Sequence, residues 1–250
     1  MTPCNIHHEA LDQVLHLKTI DSTNSEAWRR FPEWPERNGL ILADAQTGGR
    51  GRGGNTWFSP PEGGLWFSLL LAHPQWLPRL PGPLSIYTGV VVAEVLAPFL
   101  TITPQLKWPN DLLIEGRKVA GILSESRWSG SRMKAIVLGI GLNLNVPSFP
   151  GDLQKRAASL SEWMEIPPDR DVILQSILDG FFGRIDLLAQ PDQLVGSWES
   201  YCPTLGREIT IHQGDMKIRG AFQGLDPSGQ ARVRTSEGIV TIAAGDSSFA

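Results

Sequence analysis

The stretch AQTGGRGRGGNTWFSPPEGGLWFS, from Ala45 to Ser68, sets five glycines around Arg50 and Arg52 and then runs into Trp57 and two prolines. Within it, GRGRGG (49–54) matches the dinucleotide fingerprint G-x-G-x-x-G letter for letter. That fingerprint requires a helix directly after the glycines, to hold a pyrophosphate on its N-terminus, and an acid about 20 residues on for the ribose. Here NTWFSPPEGG follows, and its prolines and glycines forbid a helix. The next apolar run ends in Leu-Ala-His without an acid, and no G-x-x-x-x-G-K-[ST] pattern is present. A different chemistry fits. Glycines let backbone N–H groups close on a ligand, and arginine grips carboxylate or phosphate at two points. If the stretch is extended, both guanidinium groups can point to one side, which makes it an anion clamp. A plain surface loop is the alternative.

A second group of residues lies in KWPNDLLIEGRKVAGILSE (107–125). Asn110 and Asp111 follow Pro109 at a corner and can face a cleft. Lys118 leads into Gly121, which would let its strand approach a ligand closely. Gly141 and Asn143 stand at the end of a further apolar run. Each has a plainer reading: Lys118 as a hairpin charge, Trp57 as a core side chain, 141–143 as a turn. Four separate segments offering anion grips, amides and an aromatic face favour a common site.

The elements that must position these groups read as follows. LHLKTI (15–20), GLILADA (39–45), GLWFSLLLAH (64–73) and MKAIVLGIGLNLNV (133–146) are strand-like, the second and third as buried runs. Thr23 with Glu26 three residues on has the form of a capping box and predicts a helix start. LSIYTGVVVAEVLAPFL (84–100) is apolar on most faces, as a buried helix is. The 105–127 segment predicts a strand, a proline corner and a hairpin turned at Glu115-Gly116. Helices are expected over 173–188 and 192–199. Past Pro203, REITIH, MKIRGAF, QARVR and GIVTIA are short strands separated by turns such as DPSG. They predict a small β-barrel. The fold class is therefore α/β (α+β), a mixed sheet with helices on one side over 1–202, followed by the β unit over 203–250.

Composition sets bounds. The chain has 250 residues, 41% hydrophobic, with a net charge of −4. No general field draws it to nucleic acid or anionic membrane. No run of 18 apolar residues predicts a membrane span, and the polar N-terminus lacks a signal core, so a cytoplasmic location is expected. Cys4 and Cys202 suggest neither a disulfide framework nor zinc, and His7-His8 reads as a solvated segment rather than a metal pair.

DSTN (21–24), GRGRGGNTWFSP (49–60), KWPNDLL (107–113), KVAGIL (118–123) and GIGLNLN (139–145) together resemble the biotin protein ligases. The resemblance covers about residues 15–250, with the terminal β segment similar to the family's SH3-like domain. It implies a two-step reaction. Biotin and ATP give biotinyl-5′-AMP and pyrophosphate; a lysine of a biotin carboxyl carrier protein then takes the biotinyl group and releases AMP. It also implies site roles. Ser22, Thr23 and Gln46 would contact the biotin head. Gly49, Arg50 and Arg52 would fold over biotin and its carboxylate, and Gly121 would line its pocket. Trp57 would pack on adenine, and Asn110, Asp111 and Asn143 would serve the nucleotide, with Mg²⁺ held mainly by the phosphates and Asp111 at the metal end. Lys118 would bridge carboxylate and α-phosphate, with Arg50 and Arg52 as further catalytic cations. No protein nucleophile is implied.

Two departures stand out. Asn55 occupies a position where the family commonly has arginine, which removes a charge near the nucleotide. Only about 14 residues precede the first core strand, so the DNA-binding domain of some relatives is not expected, nor specific DNA recognition. The carrier is expected to dock along a strand edge that could also serve a homodimer. The competing readings are a lipoate or octanoate ligase on the same fold and a non-catalytic biotin sensor.

Overall fold

The computed structural model describes residues 6–80 and 83–249; Cys4 lies outside them. In chain order the elements are β1 (Gln13–Ile20), α1 (Thr23–Arg30), β2 (Gly39–Gln46), β3 (Gly64–Leu71), α2 (Leu84–Leu96), β4 (Gln105–Lys107), β5 (Asp111–Ile114), β6 (Arg117–Ser129), β7 (Arg132–Asn143), α3 (Leu153–Arg156), α4 (Arg170–Gly183), α5 (Pro191–Ser200), β8 (Glu208–Gln213), β9 (Met216–Leu225), β10 (Ala231–Thr235), β11 (Gly238–Ile242) and β12 (Asp246–Phe249). Seven strands form one sheet in the order β1-β2-β3-β7-β6-β5-β4. The β1–β2 ladder is parallel and the other ladders are antiparallel, so the sheet is mixed.

The buried runs of β2 and β3 follow from cover on both faces. Leu40, Leu42, Leu65, Phe67, Leu69 and Leu71 join a core with α2 and α4, whose Val90, Val91, Ile177 and Phe181 are fully enclosed. The alternate residues Ile41 and Leu70 point the other way, onto Ala27 of α1, with Trp28, Phe31 and Trp34 around them. Helices thus lie on both faces, not one: α1 covers the second face because side chains alternate along a strand and both sets are apolar. Each such leucine or phenylalanine contributes about 1.5–3 kcal/mol on burial.

Local details depart from the sequence reading in instructive ways. The cap of α1 is Ser22, whose Oγ accepts from Ser25 N at 3.4 Å, not Thr23. Glu26 reaches forward to Arg29 and Arg30, both at 2.7 Å, and leaves the helix start to Ser22. The 173–188 segment is broken: α4 ends at Gly183 and a separate 3₁₀ turn covers Ile185–Ala189. Likewise α2 stops at Leu96 and Pro98 sits in a 3₁₀ turn, since its ring cannot continue the ladder. The Glu115-Gly116 hairpin is present, with φ of 50° and 76° as a tight two-residue turn demands.

The terminal strands pair antiparallel in the order β11-β10-β9-β8-β12. The fifth, β12, is short and polar in sequence and was not among the four expected. Ile209, Ile211, Phe222, Val233 and Ile242 merge with the main core, and Trp198 of α5 meets Phe222 edge-on at 6.2 Å. Trp108 ties the two sheets: its Nε1 donates to Gly229 O at 3.0 Å, and its carbonyl accepts from Ser247 Oγ at 2.6 Å. The KWPND corner is thereby fixed against the C-terminal unit.

At the far side of the sheet, His16 and Arg170 both meet Asp44 Oδ1, at 2.7 and 2.8 Å. Burial pushes the Asp44 carboxyl up, but the hydrogen bonds from Arg170 and His16 outweigh it and hold the group below its ordinary value. His8, read as part of a solvated segment rather than a metal pair, is instead largely covered and packs on Phe182 at 4.8 Å. Among the described residues no cluster of three metal-ligating side chains occurs, and no helix is long and apolar enough to cross a membrane.

Candidate active site

A cleft of about 830 Å³ opens over the C-terminal half of β7 and is walled by the 47–59 loop, β5, β6 and the start of α1. All twelve residues singled out in the sequence line it: Ser22, Thr23, Gln46, Gly49, Arg50, Arg52, Trp57, Asn110, Asp111, Lys118, Gly121 and Asn143.

The inner end is polar and buried. Thr23 N and Oγ1 donate to Gln46 Oε1 at 2.8 and 3.1 Å, and Gln46 Nε2 donates to Ser59 Oγ at 2.7 Å. The Thr23 and Ser68 hydroxyls lie 2.7 Å apart, and Ser68 Oγ donates to Asn24 Oδ1 at 2.6 Å. Backbone bonds between Gln46 and Ser59 close the base of the loop, with Gln46 N donating to Ser59 O at 3.0 Å.

The loop is extended only along its arms, where residues 49–51 pair antiparallel with 55–57 through Trp57 N to Gly49 O at 2.8 Å and Gly51 N to Asn55 O at 2.7 Å, and it turns before Arg52 and Arg50 can share a side. Arg52–Gly54 make a 3₁₀ turn in which Gly53 and Gly54 adopt φ of 61° and 81°, conformations that glycine takes freely. The two guanidinium groups consequently diverge. Arg50 turns to Glu125, while Arg52 Nη1 donates to Gly245 O at 3.3 Å, across to the β11–β12 connection.

Trp57 lies flat on bare backbone. A Cβ on Gly141 would stand 2.5 Å from its Nε1, and one on Gly121 2.8 Å from its ring. Gly121 was expected to open room for a ligand; here the indole occupies that room. Gly141 and Asn143 belong to β7 rather than to a turn, because β3 and β6 pair with the strand to its end. Asn143 Nδ2 donates to Lys118 O and Ala158 O at 3.3 and 3.2 Å, tying β6 to the 157–158 segment.

Lys118 Nζ stands 5.1 Å from the Trp57 ring centre and 2.6 Å from Asp111 Oδ1. That contact is close for charge but lies off a hydrogen-bonding direction, so the carboxylate oxygen is left without an aligned donor. Asn110 Nδ2 donates to Ile122 O at 2.7 Å, which holds the proline corner onto β6. The arrangement therefore sets Lys118 and Arg52, together with Lys107 and Arg156, on a cleft whose inner end is neutral and rich in amide and hydroxyl groups. It suits an elongated ligand with a polar neutral head and an anionic centre.

Two family models match the chain: the Biotin/lipoate A/B protein ligase family over residues 16–143, and the Biotin protein ligase C terminal domain over 204–249. The chain is 33% identical over 239 residues to the bifunctional ligase/repressor BirA of Bacillus spizizenii, covering 93% of this chain and 73% of that protein. It is 30% identical to the biotin–[acetyl-CoA-carboxylase] ligase of Paracoccus denitrificans, covering 93% and 99%. The solved structure of the biotin protein ligase of Aquifex aeolicus in complex with biotin and ATP superimposes with a TM-score of 0.79 at 34% identity, covering 95% and 98%.

The chain belongs to the biotin protein ligase family. Several residues at the cleft of this family member were not singled out in the sequence. Glu125 receives Arg50, Asn24 and Trp28 together. Phe149 meets Phe58 at 6.3 Å on one rim, and Arg156 and Asp246 also face the cleft. Their signals were weak for a physical reason: each lies far along the chain from its cleft neighbours, and only long-range pairing brings it there.

Proposed function

We propose that the chain is an ATP-dependent biotin ligase that forms biotinyl-5′-AMP and passes the biotinyl group to one lysine of a biotin carboxyl carrier protein. The observation that carries this reading is the gathering of twelve residues from separate segments onto one cleft, Lys118 and Arg52 among them. The hydroxyl and amide groups of Ser22, Thr23 and Gln46 suit the neutral ureido head of biotin. The loop amides around Gly49 and the Arg52 cation suit its carboxylate. Trp57, Asn110, Asp111 and Asn143 take the nucleotide side.

Adenylation requires a carboxylate to approach a triphosphate, so catalysis is mainly positioning and positive charge. Lys118 stands between the two halves and offsets both anions as the carboxylate oxygen bonds to the α-phosphorus and pyrophosphate leaves. The glycine loop then shields the mixed anhydride from water until the carrier amine attacks its carbonyl and AMP departs. Mg²⁺, when bound, would supply further positive charge beside the phosphates, and Asp111 and Asp246 are the cleft carboxylates that would hold it. The residues fit an ion delivered with the nucleotide, since the cleft wall offers only the scattered carboxylates of Asp111 and Asp246, and Asp111 already faces Lys118.

The same reading divides the chain into a catalytic unit over 1–202 and a terminal unit over 203–250. It docks the carrier, or a second copy, on the outer edge of β6 beyond Gly121, where β5 no longer pairs with it. It assigns no specific DNA recognition to these residues, in keeping with a net charge of −4.

The test is ATP–pyrophosphate exchange with Mg²⁺ and biotin, run beside lipoate and octanoate, since the matched family model spans both ligase types. Exchange with biotin alone is expected. Exchange with lipoate would move the chain to the other branch, and biotin binding without exchange would mean a sensor.

Asn55 refines the reading. It faces the cleft with an extended backbone (φ −65°, ψ 150°) that arginine adopts without strain. Asn55→Arg is expected to lower the ATP KM about two- to five-fold, the effect of roughly 0.5–1 kcal/mol from one exposed charge. An unchanged KM would remove Asn55 from the nucleotide's surroundings.

A further inference from the structure

Glu125 of β6 is the most heavily engaged carboxylate beside the cleft. Its Oε1 accepts from Arg50 Nη2 at 2.6 Å; its Oε2 accepts from Arg50 Nη1 at 3.3 Å, Asn24 Nδ2 at 2.9 Å and Trp28 Nε1 at 3.3 Å. A two-point guanidinium–carboxylate pair fixes direction as well as distance. Asn24 is held in turn: Ser68 Oγ donates to its Oδ1, and its amide fills the space that a side chain on Gly139 would need. Thr23, the next residue back, bonds Gln46. Short bonds therefore run from Arg50 through Glu125 and Asn24 to the Thr23–Gln46 pair at the inner end.

This geometry conflicts with a substrate-gripping Arg50. Its guanidinium is engaged by a protein carboxylate, and moving it to a substrate carboxylate would leave Glu125 charged and half-buried beside two donors only. Gly49 O accepts from Trp57 N at 2.8 Å and Gly51 N donates to Asn55 O at 2.7 Å, so Arg50 stands on a paired rung of the loop, and a hold on its side chain holds that rung to β6. We propose that Glu125 is a positioning residue that tethers the glycine loop through Arg50, making Arg50 the loop's anchor and leaving the substrate anion to Arg52, Lys118 and the loop amides.

The inference rests on the biotin-ligase reading, and a double-mutant cycle separates the two. Arg50→Ala, Glu125→Gln and the double variant are compared for biotin KM, exchange kcat and escape of biotinyl-AMP into solution, with trypsin cleavage after Arg50 and Arg52 (after Arg52 in the Arg50→Ala forms) as a readout independent of activity. An anchor predicts that each single variant raises KM and escape about 10-fold, speeds cleavage of the loop, and leaves kcat within about 3-fold. The double variant should then match the singles at about 10-fold rather than reach about 100-fold, because one interaction is lost in all three. Glu125→Gln keeps the side chain's shape and an acceptor for Asn24, and an unchanged Tm shows that folding is intact. Independent, multiplying effects, or a Glu125→Gln variant with wild-type KM and cleavage rate, would overturn the tether. Absence of exchange in the unmutated protein would instead overturn the ligase reading, while the cleavage comparison would still decide the tether.

Discussion

Lys118→Ala is expected to lower the kcat of biotin-dependent ATP–pyrophosphate exchange by about 10²- to 10³-fold, the usual effect of deleting one charged or hydrogen-bonding group aimed at a developing negative charge. Three features of the site support a loss of this size. The ammonium is held between Asp111 Oδ1 and the face of Trp57, on a strand rather than a loop, so its place is set before substrate arrives. Gly121, three residues on, leaves room for the indole beneath it. Of the other cleft cations, Arg52 and Arg156 stand on a loop turn and a four-residue helix, which place a charge less firmly, Arg50 is paired with Glu125, and Lys107 stands at the end of the three-residue β4. The folded state should change little, because the ion pair is partly exposed and such pairs contribute about 0–1 kcal/mol. A Tm within a few degrees of the parent, with biotin still bound in a direct titration, would place the loss in the chemical step. Equal losses in binding and turnover would mean that Lys118 holds the ground state instead.

Gly141→Ala is expected to damage both stability and nucleotide use. A Cβ at this position meets Trp57 Nε1 at 2.5 Å and Cε2 at 2.6 Å, well inside contact distance. Gly141 lies mid-sheet, paired with Trp66 of β3 and Gly121 of β6, so its backbone cannot retreat. The indole must move instead, and it would lose its seat on Gly121 and its place under Lys118. Overpacking of this kind costs about 1–3 kcal/mol, which lowers Tm by roughly 2–12 °C in a chain of this length. Trp57 fluorescence should shift on the substitution, and the ATP KM should rise by more than the biotin KM. A variant with parental fluorescence and KM values would show that Trp57 is not the nucleotide's platform.

The residue types at the cleft are legible in the sequence because their chemistry is local. Glycine-arginine alternation, the KWPND corner and Lys118 ahead of a glycine each announce themselves over a few positions. The paired strands are legible for the same reason, through runs such as GLILADA and GLWFSLLL. What stays hidden depends on partners distant in sequence. Ser22 and Thr23 compete for the cap within one residue, and the contest is decided by Gln46, which draws Thr23 inward. Gly141 reads as a turn until β3 and β6 are known to flank it. Glu125 reads as an ordinary strand acid until Arg50, 75 residues back, and Asn24, 101 residues back, arrive at its oxygens. The opposite placement of α1 likewise follows only when both faces of β2 and β3 are seen to be apolar and to need cover.

The rung between Gln46 and Ser59 has a thermodynamic consequence. It turns residues 47–58 into a ring already closed at its base, so a ligand need not bring the two ends together. Conformational freedom is left mainly at Gly53 and Gly54, whose surroundings are open to 4 Å. Ordering a residue costs about 1–2 kcal/mol of backbone entropy, and confining that cost to the tip keeps it to a few kcal/mol rather than the sum over the whole excursion. A rearrangement at the tip therefore need not loosen the sheet to which the loop is attached.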